Sequence, residues 1–387
     1  MKRSAFVFLV LSLLAVSQPG AAQTDSSCHL RISILTCSPG EELYSLFGHT
    51  ALRVTDSATR LDVIYNWGTF DFEEPNFYMK FTRGSLLFYV SPDRIEDFLY
   101  EYQYYGRSVT EQVLNLSCEE KLQIKKAIDE NMSGNNRFYK YNFQFDNCTT
   151  RVRDLIEKNI NGMHVTTNII PEGTTFRNML YYYLDNGGQP WSKLGIDILL
   201  GAKIDKVPTN DEAMFLPEFL MKAVDSSVAN NTHLVKEKKL LLPAAPKEDI
   251  SSVYEPLITI GTICLVIFFI SILKSAWART FTKFADSFLL CITGLLGILI
   301  LFMWFFTDHL ACANNYNLIW TLPTNVIAGF FVWKRPLWLR RYFSLAAIVT
   351  GLLLVIWFWL PQQLNIALVP FVLLMFFRYI KLTNAHK

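Results

Sequence analysis

The chain has 387 residues, of which 51% are hydrophobic and 18% charged, and its formal net charge is +2. No basic stripe with interleaved aromatics is present, which excludes nucleic acid as the partner, and no cysteine or histidine cluster has zinc spacing, so no metal and no cofactor is expected. The apolar residues gather at the extreme N-terminus and beyond residue 256, which excludes a wholly soluble protein.

Residues 1–22 carry Lys2 and Arg3, an apolar run from Ala5 to Val16 and the small residues Gly20-Ala21-Ala22, the pattern of a signal peptide cut near Gln23. Thr24-Asp25-Ser26-Ser27 is too polar for a lipoprotein-type cleavage at Cys28. Residues 23–225 read as an α+β domain with its sheet material first. Strands are expected at 30–35, within 43–54 and at 61–68, the second with Thr50, Leu52 and Val54 on one face and His49, Ala51 and Arg53 on the other. On the third, Asp62, Ile64 and Asn66 share a side. A strand at 85–90, a helix at 92–104, a strand at 109–114 and a helix at 118–132 follow, then a helix opening at Cys148 and helical hairpins over 171–220 that turn at Gly187-Gly188. Residues 226–256, with Lys236, Lys238, Lys239, Pro243, Pro246 and Lys247, read as a linker.

Residues 257–380 hold five apolar segments, at 257–273, 285–306, 318–333, 343–360 and 366–380, the expected all-α bundle of five transmembrane helices. Lys274, Arg279 and Lys283 lie in one connection, Lys334, Arg335, Arg340 and Arg341 in another, and Lys381 and Lys387 in the tail 381–387, while the connections 307–317 and 361–365 have no lysine or arginine. By the positive-inside rule the basic loops are cytoplasmic and the N-terminal domain is periplasmic, in a multi-pass protein of the inner membrane. Asp308, His309, Asn315 and Asn317 then stand at the outer rim, either capping helices or completing a pocket with the domain above.

Of seven cysteines, Cys28, Cys37, Cys118 and Cys148 lie outside the apolar segments. Cys28 can pair with Cys37 or Cys118. Asp146 or Asn147 can cap the helix that starts at Cys148, and Cys148, Val152 and Leu155 fall on one helical face, turned toward the sheet. A first-turn thiol meets the positive end of the helix dipole, and an imidazole beside it favours the thiolate a nucleophile requires. His49 is the candidate base, with Asp62 or Asn66 to orient it and the Cys148 N–H, with Asn147 or Tyr44, to hold an oxyanion. Singly, such a cysteine or histidine is more often a packing residue. Their combination in a membrane-anchored domain points to a thiol catalyst. Tyr44, Arg53, Arg83, His309 and Asn315 are the substrate-binding candidates. Phe77-Tyr78-Met79 with Phe81, and Tyr181-Tyr182-Tyr183, are either acyl-docking clusters or core.

The strings LTCSPG (35–40), LFGHTALR (46–53), YNWGTFDF (65–72), PNFYMKF (75–81), GRSV (106–109) and DNCTTR (146–151) resemble the Bacteroidetes membrane proteins named Lnb-type lipoprotein N-acyltransferases, over most of residues 30–220 and the apolar tail. More remotely, the histidine strand followed by the Asn-Cys helix is similar to permuted papain-like enzymes such as the lecithin:retinol acyltransferase group. The resemblance implies Cys148 as nucleophile and His49 as base, a membrane phospholipid as acyl donor and a diacylated lipoprotein as acceptor. A membrane-anchored cysteine peptidase or amidase, or a non-catalytic envelope binding domain, is the alternative.

Overall fold

The computed structural model describes residues 28–246, 253–334 and 336–384; the expected signal peptide lies outside the described residues. Among the described residues there are ten strands: β1 (Leu30–Cys37), β2 (His49–Asp56), β3 (Leu61–Thr69), β4 (Leu87–Arg94), β5 (Val109–Leu114), β6 (Phe138–Lys140), β7 (His164–Val165), β8 (Ser227–Ala229), β9 (Thr232–His233) and β10 (Val235–Leu242). Seven form one sheet in the order β10-β5-β1-β2-β3-β4-β6, and β7-β8-β9 form a small second sheet. The main sheet is antiparallel, so successive side chains alternate between its two faces.

On one face, Ile32, Ile34, Leu52, Val54, Tyr65 and Trp67 pack against the helices Cys118–Met132 and Cys148–Asn159, which contribute Ile124, Ile128, Val152 and Ile156. On the other, Leu35, Cys37, Ala51, Ile64 and Val109 receive Phe98 and Tyr102 of the helix Ile95–Tyr104. Cys28 is bonded to Cys118, tying the start of β1 to a helix that opens with a Ser117/Glu120 capping box.

The expected linker is corrected in part. Residues 235–242 form β10, paired to β5 at the sheet's edge, and 227–229 and 232–233 form β8 and β9. The lysines that suggested a linker, Lys236, Lys238 and Lys239, are exposed on β10, as suits an outermost strand, where lysine discourages further pairing.

Four helices among the described residues are long and apolar enough to cross a membrane: Glu255–Ile272, Ala276–Phe305, Leu337–Trp359 and Ile366–Asn384. The segment expected at 318–333 is instead a 3-10 turn, Tyr316–Ile319, then irregular chain around Pro323 and a seven-residue helix, Asn325–Phe331. Its backbone lies directly on Gly294 and Gly297 of the long helix, where added Cβ atoms would collide with the Val326 N–H and the Thr321 carbonyl. Asn325 Nδ2 donates to Thr293 Oγ1 (3.0 Å) and Tyr379 Oη (2.8 Å), so its polar amide is satisfied inside the bundle. Asp286 and Arg378 form a second buried pair, at 2.7 Å.

Residues 198–202 carry the domain on the bundle. Asn315 Nδ2 donates to the carbonyls of Ile198 (2.8 Å) and Leu199 (3.0 Å), Gln362 Nε2 to that of Leu200 (2.9 Å), and the Gly201 N–H to that of Ala311 (2.9 Å). Behind them, buried Arg177 pairs with Asp197 (2.7 Å) and Asp205 (2.8 Å). Asp197 also accepts from Tyr181 Oη and Asn365 Nδ2, each at 2.8 Å, so one carboxylate joins both parts.

Candidate active site

β2 opens at His49 after Gly48, whose φ of 85° favours glycine; a Cβ there would also stand 2.8 Å from the Cys37 carbonyl. β3 ends in a bulge at Gly68, φ 97°, where a Cβ would stand 3.6 Å from the Cβ of Cys148. The positive φ favours glycine there, and the tip of the Cys148–Asn159 helix lies against this end of the sheet. Thr149 and Thr50, 3.2 Å apart at their hydroxyls, fix that tip to β2.

The helix start is held by Asn147. Its Oδ1 accepts the N–H groups of Thr149 and Thr150, both at 2.8 Å, and its Nδ2 donates to the carbonyls of Phe143 (2.7 Å) and Phe215 (2.9 Å). Asn147 is therefore committed as a cap at both ends of its amide and is not an oxyanion donor, correcting the expectation. The Cys148 N–H, by contrast, is left uncommitted by the cap.

The His49 imidazole and the Cys148 thiol face one another, and each shifts the other's titration. Burial pushes the Cys148 thiol up, but the His49 charge, the His49 hydrogen bond, the Thr50 N–H and the Thr149 hydroxyl outweigh it and bring the thiol from 9.0 down to about 7. Burial lowers His49, yet the facing sulfur and the hydrogen bonds to Cys148 and Asn66 leave it above its ordinary value. The two shifts describe one coupled thiolate–imidazolium pair. Cys37, one strand away, is pushed up to about 12 by burial and is inert.

The residue bonded to the far side of the imidazole is Asn66. His49 Nε2 lies 3.0 Å from Asn66 Oδ1, an acceptor, so Nε2 carries a proton and Nδ1 is left for the thiol. Asn66 Nδ2 donates in turn to Asp93 Oδ2 at 2.6 Å, which fixes the amide's orientation. Asp62 is corrected: the β2–β3 register sets it opposite Thr55, at the far end of β2 from His49, where it binds Arg53 at Nε (2.8 Å) and Nη2 (2.6 Å). Arg53 is spent on Asp62 and on Glu111 (3.2 Å), which removes it from the substrate-binding set.

The rim residues are corrected too. His309 Nε2 lies 3.1 Å from the Thr82 carbonyl and 3.3 Å from that of Phe81, and Asn315 and Asn317 bind backbone of residues 197–199. A cavity does open between domain and bundle, lined by Tyr181, Lys193, Tyr254, Gln362 and Asn365, but neither His309 nor Asn315 lines it. Arg83 is exposed at the end of the Phe77–Arg83 helix, and Tyr44 is exposed in the 41–47 turn, with no hydrogen bond to Cys148 or His49 among the described residues. Tyr181 is bonded to Asp197 and Tyr183 is buried, so two residues of that cluster are structural.

Two residues escaped the sequence reading. Asp93 lies on β4 opposite Ile64, and only the strand register brings it to Asn66. The Tyr139 hydroxyl on β6 is buried without a hydrogen-bond partner among the described residues, 4.0 Å from the Cβ position of Gly68, to which Cys148 Cβ also comes within 3.6 Å. Such an orphan is costly unless a ligand or the reaction uses it.

The arrangement brings together a thiol, an imidazole and an amide that orients the imidazole, the set of groups that cysteine–histidine–asparagine thiol catalysis requires. Two family models match the chain, the Lnb N-terminal periplasmic domain over residues 18–181 and the Lnb transmembrane domain over residues 247–386. No curated protein and no solved structure matches it. With both halves matched in order, the chain belongs to the Lnb family of multi-pass membrane proteins with a periplasmic N-terminal domain.

Proposed function

We propose that this protein is a cysteine-dependent acyltransferase of the inner membrane that moves a fatty acyl chain from a phospholipid to the N-terminal amine of diacylglyceryl-cysteine lipoproteins. The observation that carries the reading is the run Cys148–His49–Asn66 at the end of a sheet, with His49 bonded to Asn66 and facing the thiol, in a domain docked on membrane helices. The Cys148 thiolate attacks an ester carbonyl, and the developing oxyanion takes the Cys148 N–H and the Tyr139 hydroxyl. The carbon–oxygen bond to glycerol breaks as His49 returns its proton to the leaving alkoxide, giving a thioester and a lysophospholipid. The lipoprotein amine then attacks the thioester, His49 takes its proton, the carbon–sulfur bond breaks, and an amide and the thiolate result. An ester is exchanged for an amide, so no nucleotide is needed.

The membrane anchor has a physical reason. Drawing a chain of about 16 carbons into water costs about 12 kcal/mol, at about 0.8 per methylene, so both substrates are met in the bilayer. The reading includes five crossings, with residues 316–333 as the broken fifth: with four, the basic connections 274–284 and 334–341 would face opposite sides. It also includes the signal peptide and a permuted papain-like ancestry for the catalytic domain.

The test is to incubate the full-length protein with phosphatidylethanolamine vesicles and no acceptor. An acyl mass on the Cys148 peptide, released by neutral hydroxylamine and matched by lysophospholipid, is expected, and is absent from Cys148→Ala. Peptide-bond cleavage without any acyl adduct would replace this reading with a peptidase.

A further inference from the structure

Between β3 and β4 the chain makes the short helix Phe77–Arg83, in which no residue is buried. Tyr78, Met79 and Phe81 are 82%, 61% and 55% exposed, a concentrated apolar patch for a surface in water. The helix is not a free loop. Its last carbonyls are held by the rim of the bundle: the Asp308 N–H donates to Arg83 O at 2.9 Å, and His309 Nε2 reaches the carbonyls of Thr82 and Phe81. The Asp308 carboxylate also pairs with Lys140 at 3.0 Å. Gly84, φ 70°, allows the approach, since a Cβ there would be 3.2 Å from that of Asp308. Asp308 follows the spanning helix Ala276–Phe305, whose end presents the exposed rings of Phe305 and Phe306. The end of the Phe77–Arg83 helix is thus bonded to the segment that directly follows this long apolar helix.

From this patch a row of rings leads to the thiol. Phe81 stacks on Phe77 (6.1 Å between centroids), Phe77 on Phe70 (5.9 Å), Phe70 meets Phe88 (5.2 Å), and Phe88 stacks on Tyr141 (4.5 Å). The Tyr141 ring edge is 3.9 Å from the vacant Cβ position of Gly68, which is itself 3.6 Å from Cys148 Cβ.

We propose that the Phe77–Arg83 helix is embedded in the outer leaflet of the membrane, and that the aromatic row is the apolar path along which one phospholipid acyl chain leaves the leaflet for Cys148. The path rests on the reading that the acyl donor is a phospholipid; the embedding does not. The composition suits an interfacial element, with rings and methionine toward the acyl chains and Lys80 and Arg83 at headgroup level.

The test uses full-length Cys148→Ala, so that turnover plays no part, in phosphatidylethanolamine/phosphatidylglycerol vesicles containing an alkyne-tagged phospholipid. p-Benzoylphenylalanine is placed singly at positions 77, 78, 79 and 81, at lipid-facing position 288 to verify insertion, and at positions 100 and 104. Tyr100 and Tyr104 are 72% and 74% exposed on the helix that covers the other face of the sheet. At least tenfold more lipid adduct at 78, 79 and 81 than at 100 and 104 is expected, with the adduct at 77 mapping to the acyl chain. Adduct at 288 with none at 77, 78, 79 or 81, or with no more than at 100 and 104, overturns the proposal. Failure of the acyltransferase reading would appear separately, as a missing thioester on unaltered Cys148.

Discussion

Replacing His49 by alanine tests the electrostatics of the site most sharply. In the folded chain the thiol is brought from 9.0 to about 7, and the two strongest lowering causes both come from His49. At pH 7 a thiol at about 7 is about half thiolate, whereas one at 9.0 is about 1% thiolate. His49→Ala leaves burial as the dominant cause, which drives the thiol above 9.0, so the thiolate fraction at pH 7 falls at least about 50-fold. A more basic thiolate is also a better nucleophile; a Brønsted slope of about 0.4–0.5 over this interval returns a factor of about 8, so alkylation at pH 7 slows only about sixfold. The midpoint is the better observable, because it does not depend on how far the mutation opens the site. Iodoacetamide labelling of the full-length protein against pH, read as mass on the Cys148 peptide, is expected to rise with a midpoint near 7 and to shift above 9 in His49→Ala. Cys37 serves as the internal control and stays unlabelled, being pushed up to about 12. A midpoint above 8 in the unaltered protein, or the same midpoint in both, would refute the thiolate–imidazolium assignment.

Asn66→Ala frees the His49 ring and is expected to slow acyl-enzyme formation by about 10- to 100-fold, whereas Asp62→Ala leaves that rate within about twofold; a reversed order would restore Asp62 as the orienting residue. Tyr139→Phe keeps the ring under the Arg151 guanidinium (4.1 Å) but removes the orphan hydroxyl, and is expected to lower kcat by about 10²–10³-fold with KM little changed. Arg177→Met leaves Asp197 buried without its cation at the joint between domain and bundle, and is expected to cost about 3–5 kcal/mol in denaturant unfolding. Cys118→Ser opens a loop of 90 residues and is expected to cost about 2–4 kcal/mol, an effect that dithiothreitol reproduces in the unaltered chain and does not add to in the variant.

The β2 alternation set His49 on one face of the sheet, and the cap at Asn147 set Cys148 in the first turn of a helix, so both partners were legible from local pattern. The choice between Asp62 and Asn66 was not. Both share a face of β3, and only the pairing register, with Thr55 opposite Asp62, decides which reaches His49. Asp93 and Tyr139 come from strands whose neighbours are fixed by the whole sheet, and nothing local marks them. The rim polar residues misled because a buried asparagine bonded to backbone carbonyls reads, in one dimension, like a ligand-binding one. Lysines on β10 imitated a linker for a related reason: an edge strand and a solvated tether carry the same exposed composition. The 318–333 segment was legible as apolar but not as broken, since its irregular backbone depends on the two glycines of the facing helix.

The central claim is N-acyl transfer, and its most direct measurement is the intact mass of a lipoprotein reporter made in a host without its own N-acyltransferase. Expression of this protein is expected to add one fatty acyl mass to the reporter's N-terminal peptide, and Cys148→Ala to add none. An unchanged reporter with both, at verified and equal expression, would contradict the account.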